Sequence, residues 1–155
     1  MTYSQASFTG LGAPYWDSQA TGLFTGITRM TGKNELVRAV LDAIAYQITD
    51  IMHVMQMESG NAVEALRTDG GAAQNAHLMQ LQADLLQVPV EVAVVEELSA
   101  LGSAYAAGIA AGIYDQATIF YGLAHRRYIQ QMQETRRQAL YKGWQEAVQR
   151  TLQKF

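Results

Sequence analysis

The stretch "DGGAAQN" (69–75) is where the sequence comes nearest to a place for chemistry. A short run of strand formers ends at an acid, two glycines follow, and a segment of helix formers then carries Asn75 inside its first turn. A strand entering a helix through such a turn leaves backbone N–H groups free beside the positive end of the helix dipole, a favourable place for phosphate. Gly70 and Gly71 have no Cβ, so something bulky could come close to the main chain. Asn75, four residues after Gly71, would share its side of the first turn with an amide that both donates and accepts. The bland alternative is a Gly-Gly turn with Asp69 capping a helix.

No other group of residues competes. His53, His77 and His125 share no ligand spacing with each other or with an acid, so no metal site is expected. There is no serine elbow and no paired-carboxylate constellation, and no residue is assigned a catalytic role. Asp17, Asp42, Asp50 and Asp84 read as surface or helix acids, and Met52, Met55, Met57 and Met79 as core. "TGLGAPYW" is glycine-rich, but Pro14 and the lack of a third glycine opening a helix argue against a dinucleotide fingerprint. It reads as an ordered loop with Tyr15 and Trp16 packed onto the core.

The surroundings must then position the glycine turn. At 155 residues and 49% hydrophobic content the chain suffices for one packed domain. A formal charge of −3 argues against a nucleic-acid surface, and the doublets Arg126-Arg127 and Arg136-Arg137 read as solvated helical faces. The absence of cysteine excludes disulfides and fits a reducing compartment. No secretory leader or membrane span is read, which makes a soluble cytoplasmic protein the expectation.

Strands are expected at 22–28, 64–69 and 89–95. Helices are expected over 33–58, stopped by Gly60, over 72–87, blocked by Pro89, over about 99–113 and over about 130–153. On the first helix Val37, Val40, Leu41, Ile44, Ile48, Ile51, Met52 and Met55 form the apolar stripe. On the third, Gly102, Ala106, Gly108 and Ala110 would allow close approach to a sheet. The alternation implies an α/β layering. Three short strands are few for four such helices, so either strands lie elsewhere, as in "MTYSQASF", or the chain is part of a larger domain.

Several motifs together carry a family resemblance. "FTGLGAPYWD" (8–17), the segment 22–42 with Gly22, Phe24, Gly26, Ile27, Glu35, Leu36, Ala39, Val40, Leu41 and Asp42, then "AIAYQ" (43–47), "DGGAAQN" (69–75), "LMQLQADLL" (78–86) and "ALGSAYAAG" (100–108) stand in the order and spacing of the C-terminal domain of FGGY-family carbohydrate kinases. The chain resembles that domain over nearly its whole length. The resemblance implies three or more short strands with long helices in a partial actin-like, ribonuclease H-like ATPase domain. It implies binding of ATP or ADP, with Mg²⁺ carried by the nucleotide, and assigns Gly70, Gly71 and Asn75 to the nucleotide site. It also implies that the polyol or sugar pocket and the general base belong to an N-terminal domain absent from residues 1–155. These residues alone would then be inactive, or would form a folded, non-catalytic unit that self-associates. Thr21 and Met30, where the family often has Arg and Gly, leave the substrate open.

Overall fold

The computed structural model describes residues 1–5, 10–94, 98–119 and 124–152. Strands β1 (Tyr3–Gln5) and β2 (Leu23–Thr25) form an antiparallel pair, with Tyr3 opposite Thr25. A second sheet has the order β3 (Leu66–Thr68), β4 (Val90–Ala93), β5 (His125–Tyr128). β3 and β4 are parallel, with Leu66 beside Val90, whereas β5 runs antiparallel to β4, with Tyr128 beside Val90. Helices α1 (Lys33–Ser59), α2 (Ala76–Leu86), α3 (Leu98–Ala110) and α4 (Glu134–Leu152) complete the chain. All three expected strands form, shorter than their apolar runs. The 89–95 run and the 130–153 helix each extend past the described residues, and so do Phe8 and Thr9 of "FTGLGAPYWD".

The shortage of strands is partly met inside the chain. β1 lies in "MTYSQASF", where a strand was sought, and β5 was not foreseen. Its sequence, His-Arg-Arg-Tyr, has no alternation of apolar and polar residues, because the strand takes its place through backbone pairing with β4 while three of its four side chains stay in solvent. Arg126-Arg127 therefore belongs to a strand, not a helical face. Arg136-Arg137 does lie on a helix.

The core is centred on Trp144, fully buried and stacked on Tyr46 with ring centroids 5.4 Å apart. Leu78, Leu85, Val90 and Val92 join α2 to its sheet within the same cluster. α1 ends where expected, at Gly60 with φ +66. Its buried face is another matter. Ala39, Ala43, Tyr46 and Asp50 turn inward at helical spacing, whereas Val37, Ile44 and Met55 of the expected apolar stripe are exposed. Small residues let α1 approach α2 and β1 closely, and that close contact outweighs aliphatic content in choosing the face. Among the methionines, Met79 is core but Met55 and Met57 are exposed.

Other expectations need correction. On α3, Gly102, Ala106 and Ala110 are exposed, while the buried Gly108 faces the Tyr114 ring instead of a sheet. Trp16 is 80% exposed, with φ +50. Tyr15 does reach the core, where its hydroxyl donates to Asp50 Oδ2 at 2.9 Å. Asp42, Asp50 and Asp84 sit on helices but are buried acids, each answered by several donors. No described helix is long and apolar enough to cross a membrane.

Candidate functional site

β3 and β4 end on the same side of their sheet, the edge at which open α/β sheets present ligand-binding loops. At this edge β3 runs into Asp69 and Gly70. Gly70 has φ +82 and ψ −179, a combination open essentially to glycine alone, and this turns the chain sharply away from the strand. A 3₁₀ turn, Gly71–Gln74, follows, with Ala73 N–H donating to Gly70 O at 3.1 Å. Ala73 is buried and anchors the turn, while Gly71 is exposed. A Cβ added at Gly71 would meet nothing within 4 Å, so the space over this peptide is empty.

Asn75 differs from expectation in its place and its bonding. The helix begins at Ala76, so Asn75 is the N-cap and not a first-turn residue. Its Oδ1 accepts from Leu78 N at 3.1 Å, and its Nδ2 is left without a partner among the described residues. One donor remains where an amide edge with both a donor and an acceptor was anticipated. Asp69 caps nothing. The positive φ that makes glycine necessary belongs to Gly70, not Gly71.

The structure adds neighbours that sequence reasoning missed. Arg126 on β5 donates to Gln74 Oε1, placing a guanidinium beside the 3₁₀ turn. Thr68, Asp69, Ala93 and His125 border a cavity of about 150 Å³ at the same edge. No local signal marks either residue of β5, because only the antiparallel pairing with β4 brings them here.

Behind the turn, buried carboxylates hold the helices. His77 Nε2 lies 2.6 Å from Asp42 Oδ1, which fastens the first turn of α2 to α1. Asp84 accepts from Gln131 N at 2.7 Å and Met132 N at 3.1 Å. Asp50 accepts from Tyr15, from Tyr141 at 2.5 Å and from Trp144 Nε1 at 2.7 Å. Burial first, and then the adjacent Asp50 carboxylate, push both tyrosine hydroxyls well above their usual range. These tyrosines are donors and not acids. The described residues contain no group of three His, Asp or Glu able to cage a metal ion.

Comparison with known proteins identifies the family and the fold. Residues 2–111 match the C-terminal domain of the FGGY family of carbohydrate kinases. A glycerol kinase from Halorhodospira halophila is 50% identical over 151 residues, and glycerol kinase 2 from Thermotoga maritima is 51% identical over 148. These alignments take in 97% and 94% of this chain but 30% of each relative, so the chain spans about 30% of the length of the curated relatives it matches. Among solved structures, Plasmodium falciparum glycerol kinase with ADP superposes with a TM-score of 0.88 at 30% identity, over 99% of this chain and 31% of that one. A gluconate kinase from Lactobacillus acidophilus gives 0.70 at 25% identity, over 92% of this chain and 28% of that one. The α/β, actin-like fold expected from the motifs is the fold these kinases share.

Proposed function

This chain belongs to the FGGY family of carbohydrate kinases, and from that premise we propose that residues 1–155 form the C-terminal part of a nucleotide-binding domain that holds the adenosine end of ATP or ADP at Gly70, Gly71 and Asn75. The observation that carries this reading is the empty space over Gly71, combined with an unused Asn75 Nδ2 at a parallel-strand edge. A base or ribose would lie on the Gly71 peptide and accept from Nδ2. In the complete enzyme the reaction would be transfer of the γ-phosphate to a polyol hydroxyl, glycerol being named in the two glycerol kinases compared above. Phosphoryl transfer of this kind rests on positioning and charge neutralisation, with Mg²⁺ bridging the phosphates. That ion would arrive with the nucleotide. We place the protein in the cytoplasm.

Within this reading the polyol pocket and the general base lie outside residues 1–155. Taken by itself, this span would form a folded unit that self-associates and turns nothing over. The test is an amide NMR titration of the 155-residue chain with ADP, beside a coupled assay with ATP and glycerol. ADP is expected to shift Gly70, Gly71, Ala72 and Asn75, Gly71→Val to abolish those shifts while the remaining spectrum is unchanged, and the assay to stay at its blank. A Gly71→Val chain that binds ADP normally would overturn the nucleotide site. Glycerol-dependent ADP production would overturn the division of labour.

A further inference from the structure

We propose that the groove between α1, α2 and the start of α4 binds a small oxyanion of the phosphate-monoester class, held between the guanidinium groups of Arg38 and Arg136. Two cavities, of about 500 and 360 Å³, adjoin here, and both are bordered by these same two arginines. Arg38 is fixed by its Nε, which donates to the buried Asp42 at 3.4 Å, and both of its Nη groups remain open. Arg136 is exposed and has no partner among the described residues. Its neighbour Arg137 provides the contrast, because it donates twice to Glu134 and once to Leu85 O and is thereby built into the helix packing.

The acids around the groove are engaged by groups other than Arg136. Asp42 is answered by Arg38 and by His77. Asp84 accepts from Gln80 Nε2 and from the amides of Gln131 and Met132. Glu35 accepts from Gly32 N–H at 2.8 Å. Asp84 Oδ1 and Glu35 Oε2 are held by neutral donors, so these carboxylates keep their charge, but neither is paired with Arg136, whose N–H donors stay open among the described residues. Planar guanidinium forks bind tetrahedral oxyanions through paired N–H bonds, and two of them bordering one groove are suited to a dianion. The groove also has an apolar floor, Leu81 and Met132, suited to the carbon part of an ester. None of the glycine-turn residues lines it, so this site is separate from the nucleotide site proposed above.

The experiment is an NMR titration of the 155-residue chain with methyl phosphate, inorganic phosphate and acetate, following amide and arginine Nε signals. Methyl phosphate is expected to saturate, with shifts at Arg38, Gln133 and Arg136, and acetate to bind more weakly. Arg136→Gln should lower methyl phosphate affinity roughly tenfold, the loss of a charge-assisted bond. Arg136→Lys should fall between, keeping the charge without the fork. Since Arg136 has no partner to lose, both variants keep the fold. Gly71→Val should change nothing here, which separates failure of this site from failure of the nucleotide site. Shifts confined to 70–75, unchanged affinity in Arg136→Gln, tighter binding of acetate than of methyl phosphate, or no saturation at tens of millimolar would each overturn the proposal.

Discussion

Asn75 uses its Oδ1 on Leu78 N–H while its Nδ2 has no partner among the described residues, so two substitutions separate its roles. Asn75→Ala removes the cap and should destabilise the chain by about 1 kcal/mol, besides weakening ADP. Asn75→Asp keeps the capping oxygen and sets a favourable negative charge at the helix start, so stability should hold. It lacks the donor, however, and ADP affinity should fall at least as far as in the alanine variant. Urea unfolding and ADP titration measure the two effects separately, and an aspartate variant that binds ADP normally would remove Asn75 from the nucleotide site. The motif marked Gly70, Gly71 and Asn75 as a group, and all three fall at one turn. It left open which glycine carries the positive φ and which way Oδ1 turns, because spacing alone does not fix where a helix begins. The buried state of Asp50 was equally hidden, since its donors Tyr141 and Trp144 lie 91 and 94 positions away. An acid is readable as buried only when those distant donors are known.

Element by element, helices were easier to place than to orient. α1 was legible in both its ends, from the amphipathic run and the glycine after it, yet its inward face was misread because its alanines allow closer packing than its aliphatic side chains. α2 was legible in its body, but its start shifted when the glycine turn took a 3₁₀ form. β5 was invisible, its place being set by pairing with β4. α4 carries a pH dependence in its first turn. Hydrogen bonds from Arg137 first, then Gln138, lower the Glu134 carboxyl from an ordinary value of 4.5 to about 2. A depressed folded value means that the stabilisation is full above about pH 4.5 and is lost as pH falls toward 2. Glu134→Gln should therefore lower the urea midpoint slightly at neutral pH, as befits an exposed pair, with the difference gone by about pH 2. A difference that persists there would show that packing, and not charge, holds this turn.

For the molecule as a whole, the exposed side of α1 bears on association. Val37 (52% exposed), Ile44 (38%) and Met55 (56%) lie along one stripe, and β3 is an edge strand of its sheet with no outer partner among the described residues. Such features favour pairing between chains. The proposed self-association predicts a sedimenting species heavier than the 17.1 kDa chain at tens of micromolar, shifted to monomer by Ile44→Lys. A native chain that sediments as a clean monomer would remove this stripe as a contact. The two tryptophans, described above for opposite reasons, also make the protein its own optical instrument. Trp16 stands in solvent on a loop tied down by Tyr15, and Trp144 is sealed against Tyr46. Acrylamide should quench the red-shifted emission of Trp16 and leave the bluer emission of Trp144 nearly untouched. In a Trp16→Phe chain the residual fluorescence would then follow core melting alone, and the difference from the native signal would follow the loop, with no external label.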